Sequence, residues 1–117
     1  MDQPDMVYKI TPRKAWEEAK AAGAFTGAPI DRADGFIHFS TVSQVAETAR
    51  RHFAGQDDLL LIAVETAKLG DALKFEPSRG GDLFPHLYGD LAMSAVAREW
   101  PMPLSANGVH DLPDLPQ

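Results

Sequence analysis

The sequence predicts one small α+β domain, a mixed arrangement with a curved or split, mostly antiparallel sheet and two main helices. Its 117 residues, 44% hydrophobic and 24% charged, suit a single core and are too few for two ordinary domains. Alternating or continuously apolar runs at 7–11, 36–40, 59–65, 73–76 and 94–100 read as strands, and two stretches of helical spacing separate the first three. The globular part is expected over 6–104, with a disordered segment at 1–5 and a Pro- and Asp-rich tail, draped or mobile, at 105–117.

The first strand, Val7 to Thr11, places Val7 and Lys9 on one face and Tyr8 and Ile10 on the other. Thr11-Pro12 has the form of a helix start, a Thr cap before a Pro at the first helical position. Ala15, Trp16, Ala19 and Ala22 follow at helical spacing, Gly23 is the expected stop, and Trp16 is the expected core anchor. From Gly23 to Gly35 breakers recur without a period, which reads as an irregular connection.

Phe36 to Ser40 is a short strand with Ile37 and Phe39 on one face and Phe36, His38 and Ser40 on the other. Thr41-Val42-Ser43-Gln44 matches a capping box, followed by an apolar helical face of Val42, Val45, Ala46, Ala49 and Phe53. Leu59 to Glu65 is continuously apolar and reads as a central strand covered on both sides. Leu73 to Glu76 alternates until Pro77, and Ser94 to Trp100 forms a last strand that Pro101 and Pro103 terminate.

Composition narrows the function. Without cysteine there is no disulfide, thiol nucleophile or thiolate zinc site. A net charge of −6 and a pI near 5.0 argue against general nucleic-acid binding. The N-terminus has no signal-peptide pattern and no run of eighteen apolar residues occurs, so a cytoplasmic protein without a membrane span is expected. No sequence feature identifies a protein partner.

The chemistry concentrates in Phe36 to Thr41 and in Arg79 to Tyr88, the latter read as a loop that gathers a cation, two glycines, an imidazole and a phenol. Arg79 with the Gly80 and Gly81 amides is a candidate anion cradle. Phe36 and Tyr88 offer rings for stacking. His38 and His86 are the candidate catalytic residues, able to bond hydroxyls or to act as a base near neutral pH. Ser40 shares the His38 face, yet no G-x-S-x-G elbow supports a hydrolase. His and Asp spacing supports no metal site, and neither a G-x-G-x-x-G nor a P-loop pattern is present.

Taken together, Gly35-Phe36-Ile37-His38-Phe39-Ser40-Thr41, the strand LLLIAVE, Lys74-Phe75-Glu76-Pro77 and Phe84-Pro85-His86-Leu87-Tyr88-Gly89 resemble the bacterial domain-of-unknown-function family number 952, over about residues 6 to 104. That family is grouped with the ADP-ribosyltransferase-like folds, and its nearest parallel there is the RNA 2′-phosphotransferase group. The resemblance implies a cleft between the His38 strand and the Arg79 to Tyr88 loop, lined by Ile37 to Ser40, with NAD or a related nucleotide as the cofactor to expect and Lys9 as a second phosphate contact. It places His86 where many of these transferases carry a late glutamate, and Glu76 on the other side of the loop. A non-catalytic module that recognises a small molecule or a protein is the rival expectation, and action on a phosphorylated RNA end a third.

Overall fold

The structure, a computed structural model, describes residues 4–115, apart from the side chain of Arg79. It is built around β4 (Leu59–Glu65), the middle strand of an antiparallel three-stranded sheet between β1 (Met6–Pro12) and β8 (Val96–Met102). Leu59 through Val64 are all buried, as a strand covered on both faces requires. Leu60, Ile62 and Val64 join Val7 in one core cluster, while Leu59, Leu61 and Ala63 join Tyr8 and Ile10 in a second. Each cluster is roofed by one helix.

Helix α1 (Arg13–Ala22) brings Trp16 and Ala19 to the first cluster and stops at Gly23, whose φ of 94° suits a residue without a Cβ. Its start differs from expectation: Thr11 belongs to β1, Pro12 occupies the cap position, and no side chain caps the helix. Burial inside the ladder draws Thr11 away from a capping role. A later helix, α3 (Val45–His52), roofs the second cluster with Val45 and Ala49. Only half of the capping box forms there, the Gln44 side chain accepting from the Thr41 N–H at 2.9 Å, and Ala46 faces solvent.

The connection expected to be irregular contains a short strand and a helix. β2 (Ala24–Phe25) pairs with β7 (Leu91–Ala92), and α2 covers Pro29–Asp34. Pro29 at the first helical position and Asp31, whose carboxylate accepts the Ala28 N–H at 2.8 Å, define the start of α2, and Gly35 ends it. Six residues are too few to show an apolar period, so breakers dominate this stretch of the sequence.

A second antiparallel sheet has the order β3-β6-β5, with β3 at Ile37–His38, β5 at Leu73–Pro77 and β6 at Leu83–Leu87. Residues 83–87, expected as loop, are thus a central strand. Pro85 misdirects the reading because a proline there removes a ladder donor. Its carbonyl accepts from Phe39 N at 3.0 Å, so its missing N–H falls on the same side, past the two-residue pairing of β3 with β6. The two larger sheets meet where Tyr8 and Ser40 exchange backbone hydrogen bonds of 2.8 Å.

β8 begins two residues later than expected and continues through Pro101, which an edge strand tolerates. The tail is packed: His110 is buried and donates to the Gln56 carbonyl at 2.7 Å, and Leu112 and Leu115 lie against the second cluster. Of the segment expected to be disordered, Pro4 and Asp5 are held by the hydroxyl and N–H of Thr66, while residues 1–3 lie outside the described residues. Among the described residues no helix is long and apolar enough to cross a membrane.

Candidate functional site

β3 hydrogen-bonds directly to β6, with Ile37 opposite Leu87 and His38 opposite His86. Opposed residues share a face. Ile37 and Leu87 therefore enter the first core cluster together, and the two imidazoles emerge together on the other face, ring centroids 5.7 Å apart. Phe36 lies across them, stacked on His86 at 4.1 Å, tilted against His38 at 4.7 Å and against Tyr88 at 5.3 Å. Four of the expected site residues thus form one aromatic and imidazole cluster. The expected cleft between a strand and a loop is replaced by a sheet face, because the supposed loop is a strand paired to its neighbour.

Each imidazole has a carboxylate partner. His86 Nδ1 donates to Glu76 Oε1 at 2.8 Å, and the Tyr88 hydroxyl donates to the same oxygen at 2.7 Å. Glu76 sits opposite Phe84 in the β5–β6 hairpin, on the face His86 uses, so the hairpin brings together residues the linear reading separated. Its carboxyl is held below the usual range by Tyr88 first and then by His86, and the Tyr88 phenol is correspondingly pushed up.

His38 Nδ1 donates to Asp31 Oδ1 at 2.6 Å and Nε2 to Asp34 Oδ2 at 2.9 Å, so α2 grips the ring at both nitrogens. Ionised carboxylates only accept, and the imidazolium alone satisfies both contacts. Asp31 is 1% exposed. It also takes the N–H groups of Ala28 and His38 and the Lys9 ammonium at 3.0 Å. Gly27 makes room for it: with a φ of 110°, a Cβ there would stand 2.9 Å from the Asp31 Cβ.

Burial pushes the Asp31 carboxyl up, but the His38 hydrogen bond, the Lys9 charge and the two N–H groups outweigh it and hold the pKa at about 2, against an ordinary 3.8. Burial lowers the Lys9 ammonium, with Asp31 opposing. A carboxyl lowered by folding stabilises the native state above its unfolded pKa and stops doing so as pH falls through its folded one. Urea unfolding should therefore show a loss of about 2 kcal/mol attributable to Asp31 between about pH 4 and pH 2. That part of the acid dependence should vanish in Asp31→Asn.

The remaining expected residues lie elsewhere. Lys9 is buried and paired with Asp31, so its charge is committed inside the fold and is not a free phosphate contact. Ser40 is buried, with its hydroxyl 2.9 Å from that of Thr48. Gly80 and Gly81 form the hairpin tip with φ of 71° and 87°, the positive values a Gly-Gly turn supplies. The Gly81 N–H, expected to meet a phosphate, donates to the Ser78 carbonyl at 2.8 Å. The Arg79 side chain is outside the described residues. From Leu83 to His86 the strand covers roughly 10 Å, which separates the tip from the imidazoles.

Asp31, Asp34 and Glu76 were missed as site residues. The Pro29-x-Asp31 start and Gly35 stop were legible signals for α2, and the Lys74/Glu76 alternation for Glu76. Two surface clefts are lined by other residues. One, of about 540 Å³, lies between Thr41, Ser43, Gln44 and Glu47 and the start of β6 at Asp82 to Phe84. The other, of about 630 Å³, lies between Lys20 and β8. Among the described residues, no three His, Asp or Glu side chains are arranged to hold a metal ion.

The crystal structure of protein CC0527 from Caulobacter crescentus is similar to this chain at 51% identity, with a TM-score of 0.87 over 91% of this chain and 93% of that one. Its solution NMR structure gives a TM-score of 0.81 at 51% identity, over 90% of each chain. No curated protein matches. The sequence profile of DUF952, a protein family of unknown function, matches residues 10–99, a span that contains every member of the imidazole cluster, and the chain belongs to that family.

Proposed function

We propose that the face carrying Phe36, His38, His86 and Tyr88 binds a small nucleotide, with NAD as the leading case, and that ADP-ribosyl transfer is the reaction it would serve. The observation that carries this reading is the cross-strand imidazole pair, each ring oriented by its own carboxylate and both packed on Phe36. With Asp34 displaced, His38 Nε2 donates a directed hydrogen bond to a ribose hydroxyl or phosphate oxygen, and Glu76 fixes the ring of His86 as a carboxylate fixes a catalytic histidine. The half-exposed Tyr88 ring offers a flat surface for a base. The family's grouping with ADP-ribosyltransferase-like folds supports the choice of NAD, with the fold-level analogy supplying the reaction class.

A second reading, a non-catalytic recognition module, is favoured by one observation: His86 is only 5% exposed and both of its neighbours, Phe36 and Glu76, hold it in place. Calorimetric and thermal-shift titration with NAD, ADP-ribose and nicotinamide separates the two. Saturable binding, with stabilisation of about 2.7 kcal/mol at one hundred times the dissociation constant, is expected for wild type and should be lost in His38→Ala. No binding at millimolar ligand would discard NAD and leave the module.

A further inference from the structure

The half-exposed carboxylate of Asp34 rests on His38 Nε2, the outward nitrogen of the ring, at 2.9 Å. From this contact we infer that Asp34 is an internal occupant of an oxyanion site, and that the external ligand of this face presents a carboxylate or phosphate oxygen to His38 Nε2 in its place. The inference deepens the nucleotide reading by assigning the ligand's anionic group to His38, and it rests on that reading for the position of the site.

Charge decides the chemical class. Lys9 and the His38 imidazolium contribute two positive charges, and Asp31 and Asp34 two negative ones, so the group is balanced as it stands. Glu76 stands apart from this group, its oxygen taken by His86 Nδ1 and the Tyr88 hydroxyl. Swinging Asp34 away leaves one positive charge on a ring whose other nitrogen is fixed. A neutral hydroxyl does not restore the balance, whereas an oxyanion does.

The two carboxylates of α2 differ in a way that suits these roles. Asp31 is buried with four donors and anchors the helix, whereas the side chain of Asp34 is 47% exposed and makes an ion pair with His38 at i,i+4 spacing. Exposed pairs of this kind are weak and exchange readily with ions from solution. Asp34 lies in the last turn of α2, next to Gly35 at φ 87°, so its side chain can leave without disturbing Asp31. The site is closed by its own side chain and opens to a competing anion.

The test titrates acetate and inorganic phosphate into ¹⁵N-labelled wild type, Asp34→Ala and Asp34→Asn, following the backbone amides of residues 34–38 and the neighbouring His86 ring, which remains in every variant. In wild type the resident carboxylate should keep the shift small and unsaturated to tens of millimolar anion. Asp34→Ala should give saturable shifts with at least tenfold tighter apparent binding, Asp34→Asn should do the same more weakly, and His38→Ala in the Asp34→Ala background should abolish both. Binding of both anions would assign a general oxyanion site, and phosphate alone a phosphate site. Equal titration of wild type and Asp34→Ala, or none in either with melting curves unchanged, would overturn the inference. Because small anions are the probes, it can hold while NAD fails to bind.

Discussion

Asp31→Ala is expected to destabilise the domain by about 3–5 kcal/mol, read from urea unfolding near neutral pH. The size follows from what the carboxylate serves. Its removal leaves the Lys9 ammonium 6% exposed without its counter-charge, and strips acceptors from the Ala28 and His38 N–H groups and from the His38 ring. A buried charge that loses its partner keeps its desolvation penalty, which is why one truncation costs more than removal of both members. Lys9→Met combined with Asp31→Ala should accordingly recover part of the loss. Recovery should be incomplete, because the two N–H groups and the imidazole remain unmatched. A loss under about 1 kcal/mol in the single variant would mean that Lys9 reaches water and that the ion pair does not organise the site.

Trp16→Ala should cost a similar amount, about 3–5 kcal/mol, with Trp16→Phe costing less than half as much. The ring is fully buried, packs on Phe25 with centroids 5.7 Å apart, and fills the space between α1 and the first core cluster. Its indole N–H has no hydrogen-bond partner, so phenylalanine removes apolar contact but also a polar group buried at a cost. Equal losses in the two variants would show that indole volume, and not aromatic contact, holds α1.

The scaffold was legible where a single period governs a long segment. The continuous apolar run of Leu59 to Glu65 reads as a central strand and is one, and the alternation of Val7 and Lys9 against Tyr8 and Ile10 assigned the faces of β1 correctly. It failed where tertiary pairing overrides a local signal. Pro85 sits in a central strand because its missing donor falls beyond the end of β3, a fact visible only once β3 and β6 are side by side. Thr11 and Pro12 carry a helix-start signal, yet the ladder with β4 claims both.

The same division runs through the site. Phe36, His38, His86 and Tyr88 stand out by residue type, while their carboxylate partners were hidden among fourteen other acidic residues. Asp31 becomes exceptional only through its burial, and Glu76 only through a hairpin register that sets it beside His86. Lys9 shows the converse: an unusual basic residue on a strand drew a ligand role, but its ammonium serves an internal carboxylate.

The placement of β4 between β1 and β8 also fixes when the molecule can be finished. Strand β1 is made first and β4 midway, but the second flank of β4 is supplied by residues 96–102, with His110 and Leu112 adding their contacts after that. Pairings of such sequence separation carry a large closure entropy, so folding is expected to be late and cooperative instead of proceeding segment by segment. During synthesis β4 has no second flank until β8 has left the ribosome, and that interval is when the chain is expected to be most exposed to pairing with another chain.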